Sequence, residues 1–134
     1  MDFLLDTHIL LWLFNDDPRL SKTIKEIMLN PKSNFYYSIV SMWEVAIKHS
    51  KHPEKMNTSG TLFMHYCEQA GFKKLPLDDR HVLALETLNC ADDEVNHNDP
   101  FDRILLSQAK ADGMSFITHD RKFSAYNEPY VFLV

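Results

Sequence analysis

The sequence predicts an α/β fold, with a central, mostly parallel sheet flanked by helices. Three observations carry this prediction. Short apolar or β-prone runs at 3–5, 34–38, 114–118 and 130–133 alternate with longer segments of helical spacing, the pattern of strands joined by crossover helices. The helical segments carry start and stop signals, clearest in "DPFDRILLSQAKADG" at 99–113. The 134 residues, 45% hydrophobic, can fill one core, and no repeat, low-complexity tract or linker divides them. A single domain over 1–134 is therefore expected.

Each element has its own reason. Residues 3–5 form a short apolar run, read as a buried strand, and 8–14 form a longer one, read as a helix. "NDDPRLS" (15–21) turns around Pro18, and Ser21 caps a helix over 22–29. "NFYYS" (34–38) is aromatic and β-prone. "SMWEVAIKHS" (41–50) reads as a helix, with Ile47 four residues after Trp43. The polar stretch 51–60, with Pro53 and Gly60, reads as a loop, and 61–70 as a helix stopped by Gly71. Residues 72–77 are extended, 78–88 are a helix capped by Asp78 or Asp79, and the acidic stretch 90–98 is a surface loop. Asp99 then caps a helix that has Pro100 in its first position and Gly113 as its stop.

Several classes are excluded or disfavoured. A net charge of −5 is not that of a generally basic nucleic-acid binder. Cys67 and Cys90 are isolated, without metal spacing, which points to a reduced, cytoplasmic protein. Asp2 and Asp6 interrupt the N-terminal apolar stretch, so no signal peptide is read there. No run of about 18 apolar residues is present to span a membrane.

One residue is out of place. Asp6 stands between two runs that should both be buried, and a buried carboxylate needs a partner or a cation. It falls at the end of the first strand. Glu44 is expected in the first turn of the helix after the second strand, Asp99 and Asp102 open the helix at 100–112, and Asp120 follows the strand at 114–118. Strand ends and helix starts share the edge where open parallel sheets bind ligands. Carboxylates converging there repel one another unless a cation neutralises them, and oxygen-only ligands select Mg2+ or Mn2+. Structural alternatives stand beside this reading. Ser41 and Glu44 fit a capping box, Asp99 a helix cap, Asp102 a favourable charge in a first turn, and Asp120 turn chemistry. His8, His97 and His119 each lie within two residues of a proposed ligand, with surface, packing or substrate roles open to them. His65 and Cys67, two apart on a helix, do not face together as zinc ligands.

Taken in order and spacing, "LLDTHILLWLF", "SIVSMWEVAIK", "NHNDPFDRILLSQA" and "FITHDRKFSAY" resemble the PIN-domain family, and within it the VapC-type ribonuclease toxins of toxin–antitoxin pairs. The resemblance spans roughly residues 2–127. It implies a three-layer α/β/α domain and Mg2+- or Mn2+-dependent endoribonuclease activity. The family's acids fall on Asp6, Glu44, Asp102, Asp99 and Asp120, with the family threonine on Thr7. An antitoxin partner, a homodimer and an RNA substrate are also implied. Thr7, Lys48, Arg103 and Arg121, with Lys122, are candidate RNA contacts near the site in sequence. Two rival functions remain: a metal-independent ribonuclease using His8, His97 or His119, and a non-catalytic PIN-like module that binds RNA or protein.

Overall fold

The computed structural model describes residues 1–89 and 99–134. The expected loop at 90–98, with Cys90 and His97, lies outside the described residues. Thirteen elements alternate as the sequence predicts: β1 (Asp2–Leu5), α1 (Thr7–Phe14), α2 (Lys22–Met28), β2 (Asn34–Ser38), α3 (Ile39–Lys51), α4 (Gly60–Gln69), β3 (Lys73–Leu75), α5 (Asp79–Ala84) with a 3-10 turn over Leu85–Thr87, α6 (Pro100–Asp112), β4 (Ser115–Thr118), a 3-10 turn over Arg121–Ala125, and β5 (Val131–Leu133).

The five strands form one sheet in the order β3-β2-β1-β4-β5, with every pair parallel. The chain therefore steps outward from β1 through β2 to β3, then crosses to the other side of β1 for β4. That reversal puts a topological switch point between β1 and β4, where such sheets bind ligands beyond the carboxyl ends of the strands. Alternation along β1 divides two cores. Phe3 and Leu5 pack with Ile9, Leu10, Ile24, Val45 and Phe63, while Leu4 packs with Leu105, Leu106, Ala109 and Phe116. Helices α1, α2 and α4 thus cover one face and α6 the other, giving three layers.

The ends of α6 are as expected. Asp99 Oδ1 accepts from the N–H groups of Phe101 (2.9 Å) and Asp102 (3.2 Å), and Gly113 takes the left-handed conformation, φ 66°, after the last turn. Two elements differ. Helix α3 begins at Ile39, and its cap is Ser38, whose side chain accepts from Val40 N–H. Ser41 lies inside the helix, so the Ser41–Glu44 capping box is not formed, and Glu44 sits in the second turn rather than the first. The segment read as one helix over 78–88 is α5 plus a 3-10 turn. Here His81, buried, accepts Asp78 N–H at Nδ1 (3.1 Å), and its Nε2–H donates to Asp112 (3.0 Å), which ties α5 to α6.

Gln108 joins three elements behind the carboxyl edge. Its Oε1 accepts from the Ser38 hydroxyl, and its Nε2 donates to the carbonyl of Pro76 (3.3 Å). Gln108 and Ser38 are fully buried, so losing the amide leaves a cavity and strands the Ser38 hydroxyl without water. Gln108→Ala is expected to cost about 2–4 kcal/mol, read as a lower urea midpoint with an unchanged slope. A midpoint equal to wild type would show that the three elements are not held through this amide.

Candidate active site

The site is built from Asp6 outward. β1 delivers the chain to the switch point: Asp6 N–H donates to Ile117 O (2.9 Å), extending the β1–β4 ladder by one bond. Asp6 is extended (φ −63°, ψ 152°) and serves as the N-cap of α1, its Oδ1 accepting Thr7 N–H at 2.8 Å. Its Oδ2 accepts the Thr118 hydroxyl at 2.7 Å. Thr118 Oγ in turn accepts Asp120 N–H at 3.0 Å. The ends of β1 and β4 are thus linked through one hydroxyl. Asp6 is only 3% exposed and Glu44 only 4%.

Burial raises the Asp6 carboxyl, against the lowering effect of the Thr118 hydrogen bond; Asp102 raises it further, Thr7 N–H lowers it, and Glu44 raises it again. The result is a carboxyl at about 7, far above its ordinary 3.8. Repulsion from Asp102 and Glu44 places these two acids around Asp6, from α6 and α3. Of the five acids read from sequence, Glu44 and Asp102 thus lie near enough to Asp6 to act on its carboxyl. Asp120 joins through Thr118, and its Oδ1 is engaged by Lys122 N–H at 2.9 Å. Asp99 is exposed and spends its carboxylate on the cap of α6.

The candidate RNA contacts divide by placement. Thr7 is buried, and its hydroxyl donates to Ser41 Oγ (2.8 Å), so it braces α1 against α3 beneath the edge rather than facing outward. Lys48 Nζ pairs with Glu44 Oε2 at 2.8 Å, one turn along α3. Arg103 is half-buried, and its guanidinium reaches Tyr126 Oη at 3.5 Å. Arg121 is exposed and, with His119, Ser124 and Val134, lines a cleft of about 390 Å³. His119 packs edge-on to Trp12 at 5.0 Å and donates from Nδ1 to Val134 O (2.7 Å), while His8 lies 6.2 Å from the same indole. A cleft of about 640 Å³ opens at the amino ends of β2 and β3 among Phe14, Phe35, Tyr66 and Phe72, on the opposite edge from Asp6. Sequence reading missed Thr118, which lies 112 residues from the carboxylate it orients, and gave Ser41 a different role.

The donor set fits a hard divalent cation in type and charge: it offers oxygen only, and its central carboxylate is poorly compensated when ionised. As they stand, the carboxylates do not close on one point. No three His, Cys, Asp or Glu side chains among the described residues are grouped closely enough to hold an ion, and Glu44 is held by Lys48.

An all-parallel α/β/α domain with carboxylates at its switch point is thus defined by fold and site together. The chain belongs to the PIN-domain family, whose model matches residues 3–129. No curated protein sequence matches it. Among solved structures, VapBC2 from Rickettsia felis bound to a DNA fragment from its promoter is similar, with 15% identity and a TM-score of 0.68, covering 100% of this chain and 98% of that one. VapBC-1 from nontypeable Haemophilus influenzae gives 16% identity and a TM-score of 0.63, over 93% and 92% of the two chains. FitAcB from Neisseria gonorrhoeae gives 18% and 0.58, over 92% and 91%. At these identities the likeness is one of fold.

The raised Asp6 carboxyl has a consequence for stability. Between pH 3.8 and about 7 the folded chain holds a proton that the unfolded chain has released, so stability falls as pH rises through this window and the loss is complete above it. The full penalty is about 4 kcal/mol. Asp6→Asn removes it while keeping the side-chain shape. In EDTA the variant is expected to melt above wild type at pH 8, with the gap narrowing toward pH 4. A variant that melts below wild type at pH 8 would show instead that the carboxylate supports the fold.

Proposed function

We propose that this protein is a metal-dependent endoribonuclease and the toxin of a toxin–antitoxin pair in the cytoplasm. The observation that carries the reading is Asp6, buried at the β1–β4 switch point and pushed up to about 7 with Asp102 and Glu44 beside it. A fold gains no stability from such a group, whereas a cation site requires it. Membership in the PIN-domain family supports the nuclease class, and similarity to solved toxin–antitoxin complexes supports an antitoxin partner. Among the described residues no helix is long and apolar enough to cross a membrane.

Asp6, Glu44 and Asp102 would hold Mg2+ or Mn2+, with Asp99 and Asp120 flanking them. Such an ion supplies an activated water and neutralises charge developing on a phosphate. The chain's own residues do the positioning. Thr118 fixes the Asp6 carboxylate by donating to Oδ2, which leaves the ionised form as the better acceptor. The Thr7–Ser41 bond holds the start of α1 against the turn of α3 that presents Glu44. Lys48 Nζ pairs with Glu44 Oε2 from one turn further along α3. Arg103 and Arg121 supply cations for the RNA backbone. The homodimer implied by the family resemblance belongs to the same reading.

Purified protein is expected to cleave structured RNA with Mn2+ or Mg2+, leaving 5′-phosphate and 3′-hydroxyl ends, and to stop in EDTA. Cleavage that persists in EDTA, or cyclic-phosphate ends, would replace the metal reading with a histidine mechanism. Expression alone should arrest bacterial growth, and Asp6→Asn should relieve the arrest. Thr118→Val should retain the fold yet need about tenfold more Mn2+ for half-maximal rate, since an outer hydrogen bond to a ligand tunes affinity by that order. An unchanged Mn2+ requirement would remove Thr118 from the site.

A further inference from the structure

Trp43 is 56% exposed, packs into neither core and, among the described residues, meets the Phe101 ring edge-on at 5.0 Å and 75°. The indole is the most exposed of the large rings among the described residues, which invites a functional explanation. Its place supplies one. Trp43 precedes Glu44 on α3, and Phe101 precedes Asp102 on α6, so the contact of the two rings joins the stretches of the two helices that carry these acids. The edge-on contact fixes the plane of the indole. Further along α3 the exposed residues become basic, with Lys51 in the last turn and Lys55 just after it, the charge that a phosphate backbone seeks.

We infer that Trp43, braced by Phe101, is a stacking platform for a base of the RNA next to the bond cut at the carboxylate site. The inference rests on the ribonuclease reading above and adds a substrate-positioning residue to it. Stacking on an aromatic face tolerates any base, so the platform favours single-stranded or unstacked segments over continuous duplex. The backbone leaving that base is drawn toward Lys51 and Lys55.

The test uses the full chain with Asp6→Asn to prevent cleavage and Trp12→Phe to leave Trp43 as the only tryptophan. Titration with a ten-nucleotide oligoadenylate is expected to quench the indole emission. Trp43→Ala should weaken binding about tenfold or more, the alanine cost of one base stack, and Trp43→Phe should recover part of the loss. In an abasic scan of the oligonucleotide, one position should weaken binding to the Trp43 protein and have no effect on Trp43→Ala. Equal melting temperatures of the two proteins will exclude unfolding. Unchanged affinity in Trp43→Ala with a flat abasic scan overturns the platform. Unchanged affinity accompanied by a fall in sedimenting mass assigns the indole to contact with a second copy instead, and also overturns it. If the wild-type chain cuts no RNA in Mn2+, the ribonuclease reading itself fails. If it cuts RNA while Trp43→Ala cuts and binds equally well, only the platform fails.

Discussion

Much of this molecule is arranged around one hydrogen bond, from the Thr118 hydroxyl to Asp6 Oδ2. It joins two strands adjacent in the sheet but far apart in the chain, at the one place where the chain direction around β1 reverses. The backbone of Asp6 completes the β1–β4 ladder, and its other carboxylate oxygen caps α1. A single residue therefore ends a strand, starts a helix and faces the site. Net stabilities of small domains are only about 5–15 kcal/mol, so a penalty of about 4 kcal/mol for ionising Asp6 is a large fraction of the total. The two hydrophobic cores on either face of β1 must carry that load. A bound cation would return much of it by linkage, which couples occupancy of the site to stability.

The fold was legible where local chemistry is unambiguous. Asp99, Pro100 and Gly113 bound α6 because cap, first-turn proline and left-handed glycine each fit one position. Asp6 stood out because its apolar flanks on both sides exposed the conflict. The start of α3 was not legible, and the reason is physical. Its buried positions are Val40, Ser41, Glu44 and Val45, while Ile39 and Trp43 are exposed. Two polar residues occupy the inward stripe and two apolar residues the outward one. Hydrophobic periodicity assumes the reverse, so it misplaced the helix start by two residues and turned Ser41 into a cap. Ser38 went unnoticed as the true cap because Ile39 and Val40, both β-branched, continue the pattern of the preceding strand.

Of the site, the chain positions of the acids were readable, but not which of them come together. Asp99 and Asp102 look equivalent in sequence. The helix separates them, since Asp99 uses its carboxylate to satisfy backbone donors at the cap, whereas Asp102, one turn in, raises the Asp6 carboxyl. Thr118 could not be singled out at all, because its role depends on strand order, and strand order is a non-local property. The same holds for Gln108, whose three-way contact requires β2, β3 and α6 to be packed already.

On the proposed ribonuclease reading, an acidic chain must meet a phosphate backbone, which presents an electrostatic problem. Lys48 lies close to the site but is bound to Glu44, and Arg103 is half-buried toward Tyr126. Lys48 is exposed but shares its charge with Glu44, and Arg103 is only half-exposed. Attraction of a phosphate backbone would then draw as well on a cation seated among the carboxylates and on more distant side chains such as Arg121, Lys51 and Lys55. Affinity would rise with occupancy of the site. Stacking on Trp43 fits this economy, because a base on an indole contributes binding, with or without an ion, and adds no positive charge beside acids that would hold a metal.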